Sequence, residues 1–306
     1  MIYLSKLTCL IMLMCLTLTP LMAVTEVIEE TVSISKQTPV NFIYLSIDGV
    51  SRQSLYTLLK KRRLPHLQKI VQRGNFRNME VLGHVSETYP SYTQMLTGYY
   101  SDCLDQEQQL QIPLPRGYTV FERLRAEFPS LKIVVIPSVP KNLDKPVTLS
   151  KVWKNASDAI SLTKEEISRS ADDVALSLIQ SLDQVGDAPF FCFANFTNVE
   201  WAGHRYRADG EVYSREIKRA DAAIGKLIRY LKKHQLWEKT HILLTTNYGF
   251  LPKSKQHARQ DKSWVIYTKK VMFKGSQSDL IPTIYDAYKL PFQTWNPPLP
   301  GQPLIY

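Results

Sequence analysis

The fold of this 306-residue chain is decided by the stretch NFIYLSIDG, residues 41–49. Its run of apolar and β-branched residues predicts a buried strand over 42–47, and Asp48-Gly49 is a turn signal. A helical pattern follows over 53–61. A strand, a turn and a helix in this order are typical of the opening unit of an α/β fold.

Strand and helix patterns alternate along the rest of the chain. A helix that begins at Pro65 carries apolar residues at helical spacing and stops at Gly74. Further buried strands are predicted over 132–136, 190–196 and 241–246, and further helices over 119–128, 172–182, 212–233 and 280–288. This alternation predicts a three-layer α/β/α sandwich with a mainly parallel central sheet.

Polar clusters follow three of the apolar strands. Asp48 follows the first strand, residues 198–204 follow the strand over 190–196, and residues 246–248 follow the last of the predicted strands. Parallel α/β sheets bind their ligands beyond the carboxyl ends of the strands. We therefore expect the three clusters to meet at one edge of the sheet.

Glu200 and His204 bring a carboxylate and an imidazole together, and Gly203 lets the chain approach closely on what we interpret as a loop. Both groups are ordinary Zn²⁺ ligands. His257 lies on a polar loop after the last predicted strand, where a surface histidine is the simpler interpretation. The sequence thus contains three candidate metal ligands.

Thr88 opens the motif TYPS, residues 88–91, and lies near the N-terminus of a predicted helix, where backbone N–H groups and the helix dipole favour an anion. Its hydroxyl is a candidate nucleophile, which needs a metal or a base for activation. A simple N-cap is the alternative interpretation. Tyr89, Ser91 and the nearby His84 are expected to line the pocket for the substrate.

Taken in order, these motifs resemble the alkaline phosphatase superfamily, and most closely its type I phosphodiesterase and nucleotide pyrophosphatase branch. The resemblance spans about residues 41–305 and implies an alkaline-phosphatase-like fold and a metal-dependent hydrolase of phosphate esters. It rests on SIDG (46–49), TYPS with MLTG (88–98), EWAGH (200–204), TNYG (246–249) and His257.

The resemblance also implies two metal sites. The family aspartate that matches Asp48 holds one metal together with the nucleophile, which matches Thr88. The other metal is held by residues that match Glu200, His204 and His257, and zinc is the ion we expect there. Sulfatases of the superfamily use a modified cysteine or serine, and threonine cannot be converted to formylglycine. Phosphoesters are therefore favoured over sulfate esters, although a sulfate ester or a phosphonate remains an alternative.

Asn247 and Tyr248 stand where the family has an aspartate and a histidine that bind the metal beside the nucleophile. An amide oxygen and a phenol of pKa ~10 are weaker ligands. Together with Asp48 and Thr88 they form an all-oxygen set, which would suit Mg²⁺, Mn²⁺ or Ca²⁺ better than Zn²⁺. Three outcomes stay open: a pseudo-hydrolase that binds a phosphoester or one metal without turnover, an enzyme with one metal, and an enzyme with an all-oxygen second site.

The N-terminal sequence predicts export. A positively charged start and an apolar run over 7–18 form a secretory signal peptide over 1–23, followed by a linker over 24–40 and the α/β domain over 41–306. The expected location is secreted or periplasmic, with no transmembrane span after cleavage. An uncleaved membrane anchor is the alternative, because Leu21 is larger than signal peptidase prefers.

The formal net charge of +10 is compatible with an anionic substrate, either a small-molecule phosphoester or a lipid-linked one. Lys and Arg are scattered over helix faces, so we expect no specific nucleic-acid site. Residues 137–165 contain three prolines and break the strand-helix rhythm, which predicts a small cap-like excursion. No disulfide between Cys103 and Cys192 is assumed, because Cys192 lies within an apolar strand pattern.

Overall fold

A mixed sheet with helices on both faces forms the centre of the computed structural model. The predicted signal peptide, most of the linker over 24–40, Cys103 and His84 lie outside the described part of the chain. The structure describes residues 38–83, 87–100, 114–139, 153–164, 166–167, 170–257 and 261–305.

Eight of the strands form the main sheet, in the order β10-β2-β9-β8-β1-β7-β3-β5, and β4 pairs separately with β6. β9 runs antiparallel to its neighbours β8 and β2, and the other pairs in the sheet are parallel. The strands are β1 (Asn41–Ile47), β2 (Asn75–Glu80), β3 (Lys132–Ile136), β4 (Ser138–Val139), β5 (Leu162–Thr163), β6 (Glu166–Ile167), β7 (Phe190–Phe196), β8 (Thr240–Thr245), β9 (Lys262–Tyr267) and β10 (Gly275–Ser276).

The helices of the described residues are too short or too polar to cross a lipid bilayer. They are α1 (Arg52–Lys60), α2 (Pro65–Arg73), α3 (Thr88–Thr97), α4 (Val120–Glu127), α5 (Ala171–Val185), α6 (Asn198–Tyr206), α7 (Glu211–Lys233) and α8 (Leu280–Ala287). Short 3₁₀ turns lie at Lys154–Ala159, Gln277–Asp279 and Phe292–Thr294.

β1 lies between β7 and β8 and divides its side chains between two cores. Ile43 and Leu45 pack on one face of the sheet with α1, α2, α5 and α7. Phe42 and Tyr44 pack on the other face with α3, α4 and α8. All four side chains are fully buried, as the alternation of a strand requires when both faces are covered. The three-layer sandwich predicted from the sequence is confirmed.

The sequence interpretation was wrong for residues 200–204, which we expected to lie on a loop. They lie in α6, and Gly203 is an interior residue of this helix. A side chain at Gly203 would overlap the Phe250 ring. The glycine is therefore required for packing and does not interrupt the helix. Strands β2 and β9 were not predicted, and β9 makes the sheet mixed.

The predicted cap-like excursion over 137–165 is described only in part, because residues 140–152 and 165 lie outside the described ranges. The described part holds β4, a 3₁₀ turn and β5. β5 pairs with β3 and extends the edge of the main sheet. The excursion thus includes an edge strand, and its role as a cap stays a prediction.

The start of α2 is held by a residue distant in sequence. Leu64 occupies the cap position and makes no side-chain cap hydrogen bond, and Pro65 begins the helix. The backbone N–H groups of His66 and Leu67 donate to Asp221 Oδ1 of α7, at 3.1 and 2.7 Å. Asp221 therefore caps α2 from a neighbouring helix and joins two elements of the same layer.

Candidate active site

The predicted polar clusters meet at one edge of the sheet. β8, β1 and β7 are adjacent and parallel, so residues that follow them share the carboxyl edge. Asp48 follows β1, Asn247 and Tyr248 follow β8, and α6 with Glu200 follows β7. Asp48 is 1 % exposed and Glu200 is 6 % exposed, so both carboxylates are buried at this edge of the sheet.

Glu200, His204 and His257 form a compact group of candidate metal ligands. One ligand atom from each of these side chains lies within 4.8 Å of the other two. His257 Nε2 is 3.6 Å from Glu200 Oε1 and 3.0 Å from His204 Nε2. The two histidines come from α6 and from the loop after β8, so the fold brings together residues that are 53 positions apart.

The Nδ1 atoms of both imidazoles form hydrogen bonds with backbone carbonyl groups. His204 Nδ1 lies 2.9 Å from the carbonyl oxygen of Lys255, and His257 Nδ1 lies 2.9 Å from that of Gly249. A carbonyl oxygen only accepts, so each Nδ1 carries the proton and each neutral ring has its lone pair on Nε2.

Burial also keeps the imidazoles neutral. It lowers the pKa of His204, and it lowers the pKa of His257 to about 3, with the nearby His204 as a smaller cause. Two Nε2 lone pairs 3.0 Å apart repel each other unless a cation lies against them. The group therefore fits a divalent metal, with carbonyl partners that orient the rings as in known metal sites.

Phe250 packs the two histidines into position, and the sequence analysis missed it. Its ring centroid is 3.9 Å from that of His257 and 5.0 Å from that of His204. A Cβ atom at Gly49 or Gly203 would meet the same ring, so both positions need glycine. Gly49 also has φ +77°, a conformation that favours glycine. An apolar residue two positions after Tyr248 offered no sequence signal for this role.

Glu200 lies in a buried and negatively charged environment. Burial raises the pKa of its carboxyl to about 8, and the charge of Asp48 adds to the rise. The Tyr248 hydroxyl donates to Glu200 Oε1 at 3.0 Å and opposes part of it, as does the Asn247 amide. A bound cation would favour the ionised carboxylate in this setting.

Thr88 is the first residue of α3, and its Oγ1 is 3.1 Å from the Tyr248 hydroxyl. The N-cap position belongs to Glu87, so Thr88 does not serve as the simple cap that we considered. Tyr89 is buried beside it, and the Ser91 hydroxyl donates to the Asn247 carbonyl oxygen at 2.9 Å. Ser91 thus ties α3 to the segment after β8.

Asp48 accepts hydrogen bonds from three side chains that the sequence analysis did not single out. The hydroxyl of Ser46 donates to Oδ1 at 2.5 Å, and the amide of Asn195 donates to Oδ2 at 2.9 Å. The Tyr92 hydroxyl lies within 2.8 Å of both oxygens. Burial raises the pKa of Asp48, and these hydrogen bonds oppose the rise.

The Asn247 side chain is fully buried, and its oxygen points to the backbone. Oδ1 accepts from the N–H of Gly49 at 3.0 Å and from its own neighbour Tyr248 at 2.8 Å. Nδ2 has no hydrogen-bond partner among the residues that the structure describes. Asn247 therefore stabilises the turn at Asp48-Gly49 and presents a donor to the interior.

A sequence model of a known family matches this chain. The family is described as type I phosphodiesterase / nucleotide pyrophosphatase, and the match covers residues 122–285, more than half of the chain. It includes Glu200, His204 and His257. Asp48 and Thr88 lie before it.

One curated relative is human bis(5′-adenosyl)-triphosphatase ENPP4. It is 23% identical over 238 residues, which are 70% of this chain and 48% of that protein. The chain thus spans about half the length of the curated relative it matches.

Solved structures of the alkaline phosphatase superfamily share the fold. BT1596, a 2-O GAG sulfatase, has a TM-score of 0.63 at 12% identity and covers 87% of this chain and 73% of its own. The phosphonate monoester hydrolase of Agrobacterium radiobacter has a TM-score of 0.58 at 12% identity, with coverages of 87% and 76%. Alkaline phosphatase from the Antarctic bacterium TAB5 has a TM-score of 0.57 at 10% identity, with coverages of 83% and 98%. The alkaline-phosphatase-like sandwich expected from the sequence is confirmed.

Proposed function

Because this chain belongs to the type I phosphodiesterase and nucleotide pyrophosphatase family, we propose that it is a metal-dependent hydrolase of phosphoesters with Thr88 as its nucleophile. One observation carries the proposal. The Tyr248 hydroxyl contacts both Thr88 Oγ1 and Glu200 Oε1, so the nucleophile lies one side chain away from the Glu-His-His group.

Glu200, His204 and His257 would hold the metal, and their one oxygen and two nitrogen ligands favour zinc. A bound divalent cation supplies Lewis-acid stabilisation of negative charge on a phosphoryl oxygen. The neutral imidazoles are ready to bind without losing a proton, because burial keeps the pKa of both rings below the ordinary value.

Thr88 would attack phosphorus through Oγ1 while the bond from phosphorus to the leaving alkoxide breaks. The released alcohol carries the proton that Thr88 loses, and water then cleaves the Thr88 ester to free the phosphate product. The first-turn N–H groups of α3, at Thr88 and Tyr89, favour the negative phosphoryl oxygens. Asp48 would help to hold α3, which carries Thr88, at the edge of the sheet through its hydrogen bonds with Tyr92 and Asn195.

The substrate we propose is a small phosphodiester or phosphoanhydride. Family membership supports this class, and the name of the human relative specifies a dinucleoside triphosphate for that protein. The net charge of +10 favours a substrate with several negative charges. A lipid-linked phosphoester is the alternative within the same chemistry.

The test is hydrolysis of bis-(p-nitrophenyl) phosphate by the purified chain with added Zn²⁺ or Mn²⁺. Thr88→Ala should reduce nitrophenol release to the background level, because the hydroxyl that attacks phosphorus is gone. Thr163→Ala, at an exposed position of β5, is the matched control and should leave the rate unchanged. A Thr88→Ala variant with full activity would show that the nucleophile is another residue.

Asn247 and Tyr248 favour a second candidate, a pseudo-hydrolase that binds a phosphoester or a single metal without turnover. Metal analysis and the same assay distinguish the two. Protein that carries a metal ion and releases no nitrophenol would support the second candidate. Protein that binds no divalent ion would contradict the metal dependence of the first.

Export is a further part of this proposal and is supported by residues 1–23 alone. Expression of the whole chain with its own N-terminus should yield a secreted or periplasmic product that begins at Val24. Mass spectrometry of the purified product measures that end, and retention of Met1 in a membrane fraction would favour the uncleaved anchor.

A further inference from the structure

The proposed nucleophile Thr88, together with Asp48, Asn247 and Tyr248, would supply the ligands of a second cation. We propose that this half-site works without a metal ion and that Tyr248 is the positioning residue that orients Thr88 in it. The proposal rests on the proposed function, in which Thr88 is the nucleophile. Three features of the half-site carry it.

Three buried donors already occupy most of the acceptor sites of the Asp48 carboxylate. An ionised carboxylate offers about four lone-pair sites. The Ser46 hydroxyl donates to Oδ1 and the Asn195 amide donates to Oδ2, and the single proton of the Tyr92 hydroxyl is shared between the two oxygens. At most one of the four sites is left for a cation. A cation that displaced one of these donors would leave a buried polar group without its partner, which is unfavourable.

Asn247 presents the wrong end of its amide to a cation. Two backbone N–H groups, of Gly49 and Tyr248, donate to one end of the amide, so that end is the oxygen. The other end is the NH₂ group, which is buried, makes no hydrogen bond of normal geometry with the described residues, and helps to lower the pKa of Glu200. Turning the amide over would set NH₂ against two backbone N–H donors. Asn247 is therefore held in the orientation that disfavours a metal.

Tyr248 fills the space between the nucleophile and Glu200. Its hydroxyl has a single proton, which it donates to Glu200 Oε1 at 3.0 Å. The contact with Thr88 at 3.1 Å then requires Thr88 Oγ1 to be the donor. The Thr88 proton points to Tyr248, and the lone pairs of Oγ1 point elsewhere, free for attack on phosphorus. The Tyr248 ring is 2 % exposed and packs 4.3 Å from the His257 ring, so its position is defined.

The first test is metal stoichiometry, measured by native mass spectrometry and elemental analysis after saturation with Zn²⁺ or Mn²⁺ and removal of the excess. We expect one ion per chain. His204→Ala should lose it, and Asp48→Asn should keep it. Two ions per chain in the unmodified protein would overturn the metal-free half-site and leave the proposed function intact. No ion at all would contradict the proposed function itself.

The second test is Tyr248→Phe, which keeps the ring and removes the hydroxyl. We expect kcat to fall about 10–100-fold with KM within about twofold and one ion still bound, because only the orientation of Thr88 is lost. Tyr288→Phe is the matched control, since it also removes one buried hydroxyl, distant from the site. It should leave kcat unchanged.

Two outcomes of the kinetic test would overturn the role of Tyr248. An unchanged kcat would show that Thr88 needs no partner. A fall in kcat that is accompanied by loss of the ion would show that Tyr248 acts on Glu200 and the metal group. Activity that is abolished by Thr88→Ala in the same preparation shows in either case that the proposed function stands.

Discussion

At the scale of single residues, buried hydroxyl and amide groups determine what the candidate site can bind. Tyr92, Asn195 and Ser46 all donate to Asp48. Both histidines of the Glu-His-His group donate outward to carbonyls. Protein donors therefore use most of the lone pairs of Asp48, whereas the Nε2 lone pairs of the Glu-His-His group are available to a cation.

A half-buried histidine of β8 makes stability depend on pH. Burial, with the nearby charges of Lys269, Arg73 and Lys289 as smaller causes, lowers the pKa of His241 to about 4. Its folded-state pKa is below the ordinary ~6.5, so the unfolded chain binds the proton more readily. Neutral His241 therefore contributes fully to the free energy of unfolding above about pH 6.5, and this contribution is lost as the pH falls towards 4.

The free energy of unfolding should fall in both the unmodified protein and His241→Asn when the pH is lowered from 7.5 to 5. We expect the fall to be about 1–2 kcal/mol smaller in His241→Asn, a figure that is reduced because His241 is partly exposed. Urea denaturation at both pH values measures the difference. At pH 7.5 both proteins have a neutral side chain at this position, so that comparison is the control. Equal losses in the two proteins would show that other groups govern the acid response.

The sequence identified the residues of the site better than their orientation. Asp48, Glu200 and His204 were singled out because polar residues after parallel strands must share an edge, and Thr88 was singled out because it lies at the N-terminus of a predicted helix. The direction of the Asn247 amide depends on the backbone of Gly49, which is 198 positions away. Contacts at that separation exist only in the folded chain, so no local pattern could predict them.

At the scale of elements, the loop after β8 and the C-terminal part of α6 form one unit that holds both imidazoles. The N–H of Ala208 donates to the carbonyl of Ser254 at 3.1 Å, and the carbonyl of Lys255 accepts from His204. His204 thus depends on the backbone of the loop after β8, whereas His257 is held by the Gly249 carbonyl within its own loop. The metal group requires both segments to be in place.

The cap that Asp221 provides for α2 should contribute measurably to stability. Asp221→Ala removes the acceptor of two buried backbone N–H groups, and we expect a loss of about 1–3 kcal/mol in the free energy of unfolding. Asp221→Asn keeps one acceptor oxygen and should lose less. Urea denaturation measures both variants.

Asp172→Ala is the matched control for this prediction. Asp172 is 60% exposed and pairs with Lys226 on the protein surface, so its removal should cost less than ~1 kcal/mol. If the two variants had equal free energies of unfolding, the Asp221 cap would contribute no more to stability than a surface ion pair does.

The predicted elements were correct where patterns were strong. β1, β3, β7 and β8 are apolar runs, and α7 has a clear amphipathic period, so these were recognised. β2 was missed because its sequence NFRNME is polar and only half-buried. α6 was missed because Gly203 indicated a loop, whereas tertiary contact with Phe250 selects glycine within a helix.

At the scale of the whole molecule, the net charge of +10 should influence how an anionic substrate binds. Salt screens charges over a Debye length of ~10 Å at 0.1 M and ~3 Å at 1 M. We expect KM for bis-(p-nitrophenyl) phosphate to rise about 2–5-fold between 0.05 and 0.5 M NaCl, with kcat unchanged. The measurement is a set of Michaelis curves at constant pH.

Sodium acetate at equal ionic strength is the control for this effect. The same rise in both salts indicates screening, and a rise in chloride alone would indicate that chloride competes in the pocket. A KM that does not depend on salt would show that the scattered positive charges of the surface do not act at the site.

The Phe250 ring occupies a volume that Gly49 and Gly203 leave open, and this has a consequence for how the chain can evolve. Three positions that are far apart in sequence share a single space, so neither glycine can gain a side chain while Phe250 keeps its ring. Alanine at Gly203 would be tolerated only after Phe250 had become smaller, because otherwise its Cβ atom would overlap the ring. The order of change at these positions is therefore constrained, and related chains with a side chain in place of Gly203 should have a smaller residue in place of Phe250.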